Sequence, residues 1–130
     1  MFIEGKGLVK KYGKGEATVY ALDHTDFSME KGEIVVILGP SGSGKSTLLN
    51  ILGGLDKVTE GSMVVDGKDL EKMSAKELEI YRREKLGFVF QSYNLTPDLT
   101  VRENIEMTAE LVNEPLSVDT LILSLLLCRI

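Results

Sequence analysis

Apolar and polar positions alternate irregularly through the first part of the chain and then change to continuous apolar runs. Short apolar runs between glycines and charged residues predict strands over residues 7–12, 19–22 and 25–29. Residues 34–38 differ because all five side chains, Ile-Val-Val-Ile-Leu, are apolar. A continuous β-branched run of this kind is typical of a strand that is buried on both faces of a parallel sheet.

Directly after a glycine-rich stretch, apolar residues begin to recur at the spacing of a helix. This spacing predicts a helix that Gly53-Gly54 weakens near its end, with one apolar face. The residues of that face are Leu48, Leu49, Ile51, Leu52 and Leu55.

The second half of the chain carries turn and helix-start signals. Ser62-Met63-Val64-Val65 followed by Asp66-Gly67 predicts a hairpin with a tight turn. Two capping boxes, Ser74–Glu77 and Thr100–Glu103, predict helix starts, and the second helix is expected to run to about Val112. Between them, the mostly apolar residues 86–90 predict another buried strand.

Composition places the chain among ordinary globular proteins. It has 130 residues, which is one domain or less, with 43% hydrophobic and 27% charged residues. A net charge of −5 argues against nucleic acid as the main partner. A single cysteine, Cys128, cannot form an internal disulfide, so a reducing cytosol is expected. No secretory signal is visible at the N-terminus, and the apolar run at 121–127 is far shorter than the roughly 20 residues of a membrane span.

One motif carries chemistry. The pattern Gly-x-x-x-x-Gly-Lys-Ser lies between the predicted strand at 34–38 and the helix that follows, which is the context of a phosphate-binding loop. Its residues are Gly39, Pro40, Ser41, Gly42, Ser43, Gly44, Lys45 and Ser46, followed by Thr47.

Each part of this motif has a physical purpose. Glycines at 39, 42 and 44 let main-chain N–H groups surround a pyrophosphate, and the start of the helix adds its positive dipole end. Lys45 is expected to reach the β- and γ-phosphates, Ser46 to bind Mg²⁺, and Thr47 to contact the α-phosphate. The alternative, a glycine-rich turn without a ligand, does not require Lys45 and Ser46. The loop alone fits kinases, GTPases, helicases and transporters.

Residues 2 to about 112 resemble the ATP-binding subunit of ABC transporters in the order and spacing of their motifs. The resemblance rests on the phosphate loop, on the hairpin at 59–67, on Phe90-Gln91 and on Leu99–Ile105. Residues 12–22 and 82–91 resemble the branch that serves lipoprotein release and macrolide export.

The resemblance implies further roles. Tyr12 would stack on adenine, and Gln91 would contact Mg²⁺ and the attacking water and sense the membrane subunit. Taken alone, Tyr12 is better explained as a strand aromatic, but its position before the phosphate loop favours the contact with adenine. Residues 91–99, including Tyr93, Asn94, Leu95 and Pro97, would dock a transmembrane permease, although a plain surface loop also fits the last four. His24, the only histidine, is expected to be structural or exposed.

The resemblance also implies an architecture: an α/β phosphate-loop NTPase core with an N-terminal antiparallel β subdomain. Family members bind ATP with Mg²⁺, form a homodimer of ATPase subunits, and associate with the inner face of the cell membrane through the permease. No nucleic acid is expected as a partner.

The family's serine-glycine-glycine signature, second acidic strand and switch histidine do not occur in these 130 residues. We therefore expect a chain that is truncated before the remaining parallel strands, binds ATP and hydrolyses it negligibly. Residues 1–112 correspond to the N-terminal part of the ATP-binding domain. Residues 113–130 form an atypical leucine-rich tail that a frameshift or a truncated gene prediction would explain. The alternatives are a non-hydrolysing ATP-binding or partner-docking module and a functionless remnant.

Overall fold

The computed structural model of the chain describes residues 1–90, 92, 94–110 and 117–120. The chain divides into two compact units, Met1–Arg82 and Arg83–Ile130. The predicted boundary between residues 112 and 113 lies outside the described residues and stays a prediction.

The first unit is built on a four-stranded sheet in the order β2-β1-β3-β4, and every neighbouring pair is antiparallel. The antiparallel β subdomain expected from the sequence is therefore confirmed. Strand β1 begins four residues earlier than predicted. The two strands predicted at 19–22 and 25–29 form one continuous strand, because both stretches pair with β1. The strands are β1 (Ile3–Tyr12), β2 (Val19–Met29), β3 (Glu60–Val65) and β4 (Lys68–Asp69).

The turn between β3 and β4 has the geometry that the sequence predicts. Asp66 and Gly67 both have positive φ, 50° and 73°, and Val65 pairs with Lys68. Two consecutive left-handed residues form the turn that matches the twist of a two-residue hairpin, and Asp-Gly adopts it readily.

The described residues include the helices α1 (Lys45–Leu52), α2 (Ala75–Lys85) and α3 (Val101–Ala109). Both predicted capping boxes are formed. The Ser74 main-chain N–H donates to Glu77 Oε2 over 2.8 Å, and the Glu77 N–H donates to Ser74 Oγ over 3.3 Å. Thr100 and Glu103 make the same pair of bonds over 2.7 and 3.3 Å. Within the described ranges, no helix is both long enough and apolar enough to cross a bilayer.

The core of the first unit lies between one face of the sheet and helices α1 and α2. Only part of the predicted face of α1 is buried, because Leu49 and Leu55 are exposed. Helix α1 is short and touches the sheet along a narrow stripe, so Leu48 and Ile51 fill the contact. The buried hydrophobic residues are Leu8, Val9, Leu22, Leu48, Ile51, Met63, Val65, Leu70, Leu78 and Tyr81.

Two strand predictions are wrong. Residues 34–38, in the first unit, and 86–90, in the second, form no strand in the described part of the chain. Ile34 is 91% and Leu38 86% exposed, and Val89 is also exposed. The physical reason is that a strand is defined by its neighbours: an apolar run gains hydrogen bonds and burial only when other strands pair with it.

Candidate nucleotide-binding site

The predicted phosphate loop connects the extended segment before residue 39 to the first turn of α1. Gly44 precedes the helix in the left-handed conformation, with φ 85°, and its carbonyl accepts the first helical bond from the Leu48 N–H over 2.9 Å. A Cβ on Gly44 would lie 2.2 Å from the Ala21 carbonyl oxygen on strand β2. The loop therefore needs glycine here for two reasons, its positive φ and its close approach to the sheet.

Gly42 is also left-handed, with φ 79°, but a Cβ there would meet open space. Gly39 is different again, because its Cβ would lie 2.5 Å from Ser43 Oγ, a side chain of the loop itself. Glycine is therefore favoured at each of these three motif positions for a different structural reason.

The Lys45 ammonium lies within the loop. It donates to the main-chain carbonyls of Gly39 and Pro40 over 2.8 and 2.6 Å, and to Ser43 Oγ over 3.3 Å. The cation is therefore held by oxygen atoms of the loop. Phosphate oxygens are stronger acceptors for an ammonium group than neutral carbonyls, so an anion entering the loop finds a positive charge already in place.

Ser46 and Thr47 occupy the first turn of α1, and Ser46 is exposed. A hydroxyl at this point is a hard oxygen ligand of the kind that Mg²⁺ accepts, provided that phosphate oxygens and water complete its octahedron. The residues present are therefore compatible with Mg²⁺ bound jointly to Ser46 and a nucleotide. Ser41 is exposed on the loop.

Tyr12 ends strand β1, and its hydroxyl donates to Asp56 Oδ2 over 2.8 Å. This hydrogen bond is the main reason that the pKa of Tyr12 is raised, while a hydrogen bond with the Thr47 side chain opposes the shift. Tyr12 is thereby linked to helix α1, the helix that the phosphate loop begins. Tyr12 is 44% exposed, which leaves surface for contact with a base.

Asp56 was missed by the sequence reasoning. Partial burial alone would raise its pKa, but hydrogen bonds from Lys10, Tyr12 and the Lys57 main chain outweigh that effect and lower it. Nothing in the local sequence points to Asp56, since it lies 44 residues from Tyr12.

Some of the remaining predicted residues lie outside the described part of the chain, and others are exposed at its surface. Gln91 and Tyr93 lie outside the described residues, so their roles stay predictions. Leu95 is exposed, in a segment that Asn104 ties to helix α3, because the Thr96 N–H donates to Asn104 Oδ1 over 2.8 Å. His24 is exposed, as expected, and its Nδ1 lies 2.7 Å from Asp23 Oδ1.

Comparison with known proteins bears on the whole chain. The sequence profile of the ABC transporter family matches residues 22–125. A macrolide export ATP-binding/permease protein MacB from Rhodopseudomonas palustris is 48% identical over 113 residues, which is 87% of this chain and 17% of that protein. The ABC transporter ATP-binding protein MJ0796 from Methanocaldococcus jannaschii is 49% identical over 105 residues, 81% of this chain and 45% of that one.

Solved structures agree with the sequences. The dimeric post-hydrolysis structure of the ATP-binding cassette MJ0796, bound to ADP and Pi, superposes with a TM-score of 0.80 at 43% identity. It covers 91% of this chain and 51% of that one, so the chain spans about half the length, or less, of these relatives. The fold class and the resemblance predicted from the motifs are confirmed, and the macrolide export relatives fall in the predicted branch. The chain belongs to the ABC transporter family, as part of its ATP-binding domain.

Proposed function

We propose that this chain binds ATP with Mg²⁺ as part of the ATP-binding subunit of an ABC transporter. The observation that carries the proposal is the position of the Lys45 ammonium, which three oxygen atoms of the phosphate loop hold at the start of α1. On binding, phosphate oxygens replace these acceptors, and the free N–H groups at the start of α1 add to the attraction. Tyr12 supplies a partly exposed ring for adenine, and Ser46 supplies a hydroxyl for Mg²⁺.

We infer that the 130-residue chain binds nucleotide without appreciable turnover. Phosphoryl transfer requires a positioned water and donors that stabilise charge in the transition state. The signature motif and the acidic strand that supply these groups in the family do not occur in this sequence. Incubation with MgATP should therefore release no more phosphate than a Lys45→Ala control.

We also propose the family's partners for the subunit. A transmembrane permease would contact the segment between Gln91 and Leu99, which would place the protein on the cytoplasmic face of the membrane. The exposure of Leu95 supports an apolar contact there. A second ATPase subunit would complete the nucleotide site, and the dimeric structures of MJ0796 support this arrangement.

Titration with a fluorescent ATP analogue, with and without Mg²⁺, tests nucleotide binding. Lys45→Ala should weaken binding by about 10- to 150-fold, because a charge-assisted contact to phosphate is worth roughly 1.5–3 kcal/mol. Lys76→Ala is the matched control, since it removes the same charge from an exposed position on α2. Unchanged affinity of the Lys45 variant, or an equal loss in both variants, would overturn the phosphate-loop assignment.

A further inference from the structure

Tyr12 is held by a small polar cluster that no phosphate-loop motif includes. Its hydroxyl donates to Asp56 Oδ2 over 2.8 Å. Asp56 is itself fixed, because its Oδ1 accepts from the Lys57 N–H over 2.8 Å and its own N–H donates to the Asn50 carbonyl near the end of α1 over 3.2 Å. Helix α1 therefore begins at the phosphate loop and ends at the anchor of Asp56, so one rigid element connects the loop to the tyrosine.

Lys10 completes the cluster. Its ammonium pairs with Asp56 Oδ1, donates to the Lys57 carbonyl over 2.7 Å and lies 5.1 Å from the centroid of the Tyr12 ring. The side chains of Lys10 and Asp56 are only 13% and 30% exposed. Partial withdrawal from water strengthens such a pair and the cation–π contact relative to fully exposed equivalents.

These contacts restrict the ring in two ways. The hydroxyl bond fixes the end of the ring, and the ammonium lies over one of its faces. A tyrosine held in this manner has already lost side-chain freedom before a base arrives. Preorganisation of this kind reduces the entropy cost of binding.

We propose that Lys10 and Asp56 are positioning residues that hold Tyr12 ready to stack on the base of a bound nucleotide. This inference rests on the proposed function, because it assumes that a nucleotide occupies the phosphate loop and that Tyr12 is its base platform. It goes further in assigning part of the affinity for the base to two residues that lie outside the phosphate-loop motif.

The test separates binding of the base from binding of the phosphates. Affinities are measured for MgATP and for magnesium tripolyphosphate, which fills the phosphate loop but has no base to stack. Asp56→Ala should weaken MgATP binding by about 3- to 10-fold. This loss corresponds to part of the free energy that stacking of a base on an aromatic ring usually contributes. Its affinity for tripolyphosphate should stay within about 2-fold of the starting protein, which is within the ordinary scatter of remote substitutions.

A double-mutant cycle tests the route of the effect. Tyr12→Phe keeps the ring but loses the hydroxyl, so it should weaken MgATP binding by no more than Asp56→Ala does. The double variant should lose no more than Asp56→Ala alone, because both changes remove the same hydrogen bond. Additive losses would overturn the proposal, because Asp56 would then act by some other route. Tyr12→Phe is also mild enough to keep the test informative if Asp56→Ala folds poorly.

Lys10 provides an independent arm. Lys10→Met should weaken the binding of MgATP but not the binding of tripolyphosphate. Lys10→Arg keeps the cation and should retain most of the affinity for MgATP. Equal losses for MgATP and tripolyphosphate in the Asp56 or Lys10 variants would show general distortion of the loop and would overturn the proposal. If the unsubstituted chain binds neither ligand, the proposed function itself fails. If it binds both and Asp56→Ala changes neither, only the positioning role fails.

Discussion

The Tyr81 hydroxyl donates to the main-chain carbonyl of Leu52 over 2.8 Å, and so joins helix α2 to the last turn of α1. Carbonyls in the last turn of a helix have no partner within the helix, and a buried one is costly to leave unpaired. The chain just after α1 is held in the same way, since an Arg82 guanidinium nitrogen donates to the Gly54 carbonyl over 2.7 Å. Helix α2 thereby fixes the end of the helix that the phosphate loop begins.

We predict that Tyr81→Phe lowers the free energy of unfolding by about 1–2 kcal/mol, because the ring stays packed while a partly buried carbonyl loses its donor. Burial raises the pKa of Tyr81, as expected of a phenol kept protonated away from water. Tyr20→Phe is the control, because Tyr20 is exposed and should change stability by no more than about 0.5 kcal/mol. Urea denaturation measures both, and equal losses would contradict the buried role of the Tyr81 hydroxyl.

Gly42 and Gly44 provide a matched pair of substitutions, since both are left-handed but only Gly44 approaches the sheet closely. Gly42→Ala should cost about 1–2 kcal/mol, the ordinary penalty for a left-handed alanine. Gly44→Ala should cost clearly more, because its Cβ would collide with the Ala21 carbonyl 2.2 Å away. Thermal unfolding compares the two variants. Similar melting temperatures would show that the helix start can move away from β2.

The exposed apolar segment at 34–38 predicts self-association of the isolated chain, since extended apolar main chain without neighbours invites pairing between molecules. Replacing Ile34 and Leu38 together by lysine should raise the monomer fraction in light scattering. The free energy of unfolding should change by less than about 1 kcal/mol, because neither side chain packs in the core.

The control for that experiment places two lysines elsewhere, at the exposed residues Ser28 and Ser92. This variant changes the net charge by the same amount without removing apolar surface. An equal gain in monomer from the control would assign the effect to charge and would contradict a role for the segment at 34–38.

Acid should weaken the first unit through Asp56. Its pKa is lower in the folded chain than in the unfolded one, so the carboxylate stabilises the fold above its unfolded pKa, which is about 3.9. That contribution is lost as the pH falls below this value and through the lower folded pKa. Asp56→Asn should therefore unfold with a weaker pH dependence below about pH 4. Far-ultraviolet circular dichroism monitors acid unfolding of the variant and of the unsubstituted chain. Equal pH dependence of unfolding in the two proteins would contradict this contribution.

Local features were predictable because neighbouring residues determine them. The capping boxes at Ser74 and Thr100, the left-handed turn at Asp66-Gly67 and the loop-to-helix change at Gly44 each depend on a few consecutive residues. The capping side chains bond to nearby main-chain groups, and the glycines allow a left-handed main chain, so the sequence alone predicts these features.

The sequence by itself determined the phosphate loop, because the spacing of its motif carries that information. Through the resemblance of its motifs, it also indicated the family and the antiparallel β subdomain. Only the tertiary structure decided which apolar runs become strands, since 34–38 and 86–90 have the right residues but no paired neighbours in the described chain. It alone also brought Asp56 to Tyr12, across 44 residues. Contacts of that range depend on how α1 and β1 pack together, and no short pattern encodes packing between distant segments.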